Sequence, residues 1–356
     1  MPRHARPTTI SPLGTARKRI TTVLAGVIAA GLALTGCAGG TPSASETTAP
    51  AAESGAFPVT IDTAYGEVTV DEKPERIVVL YSTYLELLPY LGEVPLASTD
   101  DDETLEVYQP WLLEVDRGEV DTGLLDANWS PSPEAVAALD PDLILTSIWS
   151  VDEQLYEQLS QIAPTYVGIE TDTQTSWQDH LTALAQLTGH DTAIVEEVEA
   201  ELTADFASAA EKLPGLQGRS YIIPVFFTDN QFWPTEYGND PIMALGLVPS
   251  EQQPHGDVTS ADVDTISQEN IELLTEDVVF IASSGAVAPE VIDETFASLQ
   301  ADPRVAELPA SRNGTFIYLD GPQWAAINGG TPTSYRWWLD QLLPQLEASA
   351  LNQSAQ

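Results

Sequence analysis

The sequence predicts an α/β protein of two doubly wound lobes joined by a single long linking helix, with a ligand cleft between the lobes. Three observations predict it. Continuous apolar runs at 76–80, 143–146, 277–282 and 315–319 have the composition of strands buried on both faces. Segments of helical period stand between such runs, the alternation that builds parallel sheets. Near the middle of the 356-residue chain, Ile194, Val198, Leu202, Phe206 and Leu213 recur at helical spacing over one long stretch.

Taken in order, the chain opens with Arg17-Lys18-Arg19, an apolar run from Ile20 to Leu34, and then Thr35-Gly36-Cys37. A basic segment, a short apolar one and small residues at a cleavage point make a secretory signal over 1–36. The run is too short to span a bilayer, which takes about 20 residues. Cys37 is the only cysteine, so it has no disulfide partner within the chain. Leu34-Thr35-Gly36-Cys37 resembles the lipobox of bacterial lipoproteins. That resemblance implies cleavage before Cys37, a diacylglycerol on its thiol, and a protein held at the outer face of the cell membrane. Residues 37–57 are small and polar and read as a tether, with a reach of about 24 Å.

The folded body follows. Val59–Ile61 and Glu67–Val70 flank Tyr65-Gly66 as a hairpin. In the first lobe, assigned to 58–172, the strand at 76–80 leads into a helix at 83–91, a strand at 94–97, a helix at 133–139 and a strand at 143–146. Linking helices occupy 173–214. Gly189 ends the first, Asp191 is placed to cap the second, and Pro214-Gly215 ends it after roughly 34 Å. The second lobe, 215–350, repeats the alternation: strands at 221–227, 277–282 and 315–319, helices at 242–245, 271–274, 291–299 and 334–346. Residues 351–356 are assigned as a disordered tail.

Charge restricts the partners. Eight basic residues follow the leader, against 54 acidic ones, a net charge of about −46. Nucleic-acid binding needs a basic face and is excluded. Adhesion to anionic lipid by charge is excluded too, which leaves the acyl anchor as the membrane tie; a two-chain anchor suffices for stable attachment.

Several segments together resemble a known family. Lys73-Pro74-Glu75-Arg76-Ile77-Val78-Val79, Glu86-Leu87-Leu88 with Leu91-Gly92, the run from Pro133 to Leu145, Ile266–Ile271 with Asp277-Val278-Val279, and Arg312–Tyr318 are similar in order and type to the iron–siderophore substrate-binding lipoproteins of ABC importers. That helix-linked class also holds cobalamin and haem binders. The resemblance implies a monomeric binding protein, not an enzyme, without a cofactor, that captures a ferric siderophore and delivers it to a permease and its ATPase.

In open α/β sheets ligands bind at the carboxyl ends of the strands. The loops predicted there carry Tyr81, Tyr84, Trp129, Trp149, Phe227, Trp233 and Trp324, rings that suit a bulky ligand with apolar and polar surface. Each ring could equally fill a gap between elements; Trp177, Trp337 and Trp338, on helices, read as packing residues. Citrate and catecholate complexes are polyanions and need several Arg or Lys forks. Only Arg117 and Arg336 are placed as pocket cations, and that scarcity favours a hydroxamate complex, neutral or cationic. His180, His190 and His255 lack ligand spacing, so no metal site is assigned and iron arrives in its chelator. Haem remains an alternative through Tyr81 or Tyr84. The run Asp100–Glu103 reads as a solvated loop.

By the family resemblance, Glu86 is the first-lobe residue that docks on the permease. Thr83-x-x-Glu86 is also a capping-box spacing. Asp240 is the second-lobe candidate, although the family's usual glutamate falls near Ile242 or Met243. A tethered cell-wall hydrolase is the rival from another class, but neither Gly-x-Ser-x-Gly nor His-Glu-x-x-His occurs.

Overall fold

A parallel sheet forms the base of the first lobe, because short β-branched and leucine runs recur between helices and bury both faces. The computed structural model describes residues 57–126, 128–169, 175–226, 231–283 and 289–355. Cys37, the leader and residues 38–56 lie outside these, as do Ala127 and Phe227. A hairpin of β1 (Val59–Thr63) and β2 (Gly66–Val70) precedes the sheet. The sheet contains β3 (Ile77–Val79), β4 (Ala97–Ser98), β5 (Glu119–Val120), β6 (Leu143–Leu145) and β7 (Thr165–Tyr166), in the order β5-β4-β3-β6-β7. The helices between are α1 (Thr83–Leu87), α2 (Asp102–Tyr108), α3 (Pro133–Ala138) and α4 (Glu153–Ser160).

Two linking helices follow, α5 (Trp177–Thr188) and α6 (Ala193–Glu211). Gly189 ends α5 in the left-handed region, where its φ of 76° suits glycine. The long helix is 19 residues, about 28 Å. Thr192, not Asp191, is its N-cap; the Asp191 carboxylate instead accepts from the Ala193 amide at 3.0 Å.

The second sheet is mixed. It holds β8 (Ser220–Ile222), β9 (Pro224–Phe226), β10 (Gln231–Pro234), β11 (Val248–Pro249), β12 (Ile266–Ser267), β13 (Val278–Ser283) and β14 (Phe316–Tyr318). The strand expected over 221–227 is broken at Ile223, whose amide donates to Gln253 Oε1 at 2.7 Å instead of to a neighbouring strand. Both halves still pair in parallel with β13, while β10 runs antiparallel to β9 and β12. The second-lobe helices are α7 (Asn239–Ala244), α8 (Pro289–Ala301), α9 (Pro303–Glu307), α10 (Pro309–Asn313), α11 (Gly321–Gly329), α12 (Pro332–Ala348) and α13 (Ala350–Gln353). The helix expected at 271–274 is a 3-10 segment, Gln268–Leu273.

One apolar cluster runs from one face of the first sheet (Val79, Leu145) through α5, α6 and α12 (Leu184, Phe206, Trp338) to the second sheet (Tyr221, Phe280). Separate clusters cover the outer faces of the two sheets.

The assignment of 351–356 as a disordered tail is overturned. Ser349 caps α13, Leu351 and Asn352 are buried, and the Asn352 side chain accepts from the Gly215 amide at 3.2 Å and donates to the Lys212 carbonyl at 2.9 Å. The chain end thus clasps the turn after α6. A Cβ at Gly215 would lie 2.1 Å from the Leu351 carbonyl oxygen, so only glycine allows the clasp to close. Asn352→Ala leaves those groups unpaired; a stability loss of about 1–3 kcal/mol is expected in urea denaturation, and deletion of 350–356 lowers stability further.

Candidate functional site

The carboxyl ends of β3, β6 and β7 bring Tyr81, Thr83, Ser147 and Trp149 to one edge of the first lobe. Beside that edge, the start of α5 supplies Thr175, Trp177 and His180, and Gly329 at the end of α11 faces them from the second lobe. Together these residues enclose a hollow of about 20 Å³. A trench of about 500 Å³ shares Thr175, Trp177 and Gly329 with it and adds Glu236, Tyr237, Asp240, Asn328 and Tyr335. A further recess of about 380 Å³ continues between α5, α6 and α7, past Glu199 and Phe206. On the other side of Trp149, a groove of about 510 Å³ follows Ser130, Ser150, Asp152, Gln154 and Gln158. The trench lies within the usual size of a small-molecule site.

The floor of the cleft is an aromatic and imidazole cluster. The Tyr166 hydroxyl and His180 Nδ1 are 3.1 Å apart, and His180 meets the Tyr84 ring edge-on at 5.2 Å between centroids. Burial pushes the His180 pKa down to about 4, against a smaller opposing effect of Asp179, so the imidazole is neutral at pH 7. Burial likewise raises the Tyr81 phenol, so this ring presents a neutral hydroxyl.

The predicted site residues divide. Tyr81 and Trp149 line the hollow; Trp149 is 66% exposed. Trp129 is 68% exposed, beside Ser130 on a tight turn where its φ is 63°; the Asp126 carboxylate holds that turn through the Asn128 and Ser130 amides. Trp233 is exposed on β10 and Trp324 packs against the shared core in the first turn of α11. Phe227 lies outside the described residues. Tyr84 is a correction: it is fully buried, and its hydroxyl donates to the Thr146 carbonyl at 2.8 Å beneath the cleft, out of a ligand's reach.

Both cations are corrected too. Arg117 donates to the Asp100 carbonyl at 2.7 Å and pairs with Asp102 at 2.5 Å, which fixes the loop leading into α2. Asp101 caps α2, accepting from the Thr104 amide at 2.8 Å, so Asp100–Glu103 is a helix start and not a solvated loop. Arg336 binds Asp205 at 2.6 Å and the Tyr90 hydroxyl at 2.9 Å, tying α12 to α6 and to the turn after α1. Among the described residues, those lining the hollow, the trench, the recess and the groove include no Lys or Arg.

Glu86 is not a surface docking residue. It is 4% exposed, and its carboxylate accepts from the Thr331 hydroxyl at the N-cap of α12. No capping box forms at α1, whose N-cap is Ser82. Burial pushes the Glu86 pKa up to about 7, opposed by Thr331, by the Trp111 indole, which lies close without hydrogen-bond geometry, and by Ser334. Asp240, in the first turn of α7, is exposed at the trench.

Site residues that the sequence does not single out are Ser147, Thr175 and Asn328, and the structure also brings there Tyr237, Trp177, expected as a packing residue, and His180 of the linking helices. Among the described residues no group of three His, Cys, Asp or Glu side chains could hold a metal ion, and no helix is long and apolar enough to cross a membrane.

The sequence matches the periplasmic binding protein family model over residues 77–322. It is 25% identical over 303 residues to the ferric-anguibactin-binding protein FatB of Vibrio anguillarum, covering 80% of this chain and 87% of that one. It is 23% identical over 267 residues to the Fe(3+)-citrate-binding protein YfmC of Bacillus subtilis, covering 74% and 79%. A solved periplasmic solute binding protein of Mycobacterium smegmatis superposes with a TM-score of 0.63 at 26% identity, over 81% of this chain and 97% of the other.

The buried titrating groups set a pH profile for stability. Glu86, with its pKa raised to about 7, contributes stability that is complete below about 4.5 and is lost as pH rises through 7. The loss is about 3 kcal/mol at most. His180, with its pKa lowered, contributes stability that is present above about 6.5 and is lost as pH falls toward 4. Between pH 5 and 6.5 the two contributions oppose each other, so thermal unfolding is expected to show little change of melting temperature in the wild type and a rise with pH in Glu86→Gln, which keeps only the His180 contribution.

Proposed function

The chain belongs to the periplasmic binding protein family, and we propose that it is the substrate-binding component of an ABC importer that captures a ferric siderophore, hydroxamate in type, and hands it to a membrane permease. The observation that carries the ligand class is that, among the described residues, no lysine or arginine lines the cleft, whose hollows are lined by rings, hydroxyls and amides with Glu199, Glu236 and Asp240 as the charged groups. A polyanionic chelate would meet carboxylates there without a compensating guanidinium. A neutral or cationic hydroxamate complex meets neutral hydroxyls and aromatic faces. Relatives named for ferric anguibactin and Fe(3+)-citrate support the iron-chelate class.

No bond is broken in this role; binding and release suffice. The work falls on Tyr81 and Trp149 at the floor and rim, with Trp129, Trp233 and Trp324 as further ligand-facing rings. Cys37 carries the lipid that holds the protein at the outer face of the membrane, and Asp240 meets the permease from the second lobe.

Three measurements test these roles. Ferric desferrioxamine is expected to quench the intrinsic tryptophan emission of the purified protein, with ferric citrate and ferric catecholates giving little; the reverse order overturns the ligand class. Trp149→Ala is expected to weaken ferric desferrioxamine binding at least tenfold, about 1.4 kcal/mol. In cells, Cys37→Ser is expected to move the protein from the membrane fraction to the soluble one.

A further inference from the structure

Glu86 is a carboxyl group buried between two lobes, 245 positions away in sequence from the residue it bonds. Its place relative to the cleft is specific. Tyr81 and Thr83, which line the floor from the first lobe, stand five and three residues before it. Asn328 and Gly329, which line the trench from the second lobe, stand three and two residues before Thr331. The bond therefore joins the two segments that carry opposite walls of the cleft, just behind the walls themselves.

The donor is held in place to meet it. Thr331 is the N-cap of α12, a 17-residue helix, with reciprocal bonds to Ser334: the Ser334 amide donates to Thr331 Oγ1 at 3.2 Å and the Thr331 amide to Ser334 Oγ at 3.1 Å. A carboxylate at this end of a long helix meets the positive end of its dipole. A second tie runs alongside, from the Tyr90 hydroxyl to Thr333 Oγ1 at 3.2 Å, and the Trp111 and Trp337 rings pack at 5.2 Å.

We propose that the Glu86–Thr331 contact is a positioning strut that holds the two walls of the cleft at their ligand-binding spacing, so that protonating or removing the carboxylate weakens ligand binding although Glu86 touches no ligand. This rests on the cleft being the ligand site. The ionised form makes a charge-assisted hydrogen bond, roughly twice as strong as a neutral one. The ionisable groups around it are Tyr81 on its own loop, Tyr90 on the following turn, Arg336 on α12, and Asp205 and Glu201 on α6. Arg336 is committed to Asp205 and Tyr90, and the hydrogen bond at the carboxylate comes from the Thr331 hydroxyl, with Trp111 and Ser334 close by. With the carboxyl titrating near neutrality, the strut changes strength over pH 6 to 8.

The test compares wild type, Glu86→Gln, Thr331→Val and Thr331→Ser. Ferric desferrioxamine affinity is measured at pH 6 and pH 8, and calorimetry at pH 7 in two buffers of different ionisation enthalpy counts protons. Wild type and Thr331→Ser are expected to bind several-fold more tightly at pH 8 and to release protons on binding. Glu86→Gln and Thr331→Val are expected to bind more weakly, with no pH dependence and no proton release. Hydrogen exchange of the ligand-free proteins reads the strut separately: the Ser334 and Tyr335 amides should exchange faster in Glu86→Gln and Thr331→Val than in wild type. Wild-type affinity and pH profile in Glu86→Gln, or unchanged protection of those amides, overturns the strut. A wild type that binds no ferric complex overturns the ligand reading, and the exchange experiment then decides the strut alone.

Discussion

A single apolar core shared by both lobes fixes where every cleft residue stands. Leu184 on α5, Phe206 on α6 and Trp338 on α12 belong to the same cluster as Val79 of the first sheet and Phe280 of the second. Burying each such side chain contributes roughly 1.5–3 kcal/mol, and separating the lobes would return many of them to water at once. The sheets are therefore not two bodies on a flexible rod. They are opposite sides of one packed layer, and the cleft is the gap that layer leaves at the strand ends. Polar ties such as Glu86–Thr331 and Arg336–Asp205 lie on the same layer and fix its register, which the non-directional apolar contacts alone do not specify.

The same layer accounts for the cations. A chain this acidic has few positive groups, and the fold uses them at its joints. Arg76 caps the carbonyls that end α3, Arg117 holds the start of α2, Arg219 meets Asp277 below the second sheet, and Arg336 bridges α12 and α6. Exposed pairs of this kind contribute about 0–1 kcal/mol each, so their value is geometric. The electrostatic character of the cleft follows by subtraction: rings and hydroxyls line it, with carboxylates as its charged groups.

The buried three-residue strands β3 and β6 and the long helix α6 were legible because hydrophobic period is a local signal. Strands of two residues, β4, β5, β7, β11 and β12, are too short to show any period, and their positions come from pairing partners elsewhere in the chain. The aromatic load at the strand ends was visible, and it located Tyr81 and Trp149. Tyr84 was misplaced because α1 begins directly after the loop and turns that ring inward, a direction that residue type does not encode. Glu86 looked like a surface acid because its partner lies at the far end of the chain. His180 passed as a linking-helix residue, since nothing nearby in sequence reveals that the start of α5 borders the cleft. At the C-terminus, Leu351 was the one apolar hint within a stretch whose polar composition suggested disorder.

The clasp at Asn352 also bears on the order in which the molecule can be completed. Synthesis proceeds from the N-terminus, so α12 and the residues that grip Gly215 are made after the elements they pack against. Until they emerge from the ribosome, the inward faces of α5 and α6 lack their final cover. The shared core is thus closed by residues that come after both sheets in the chain.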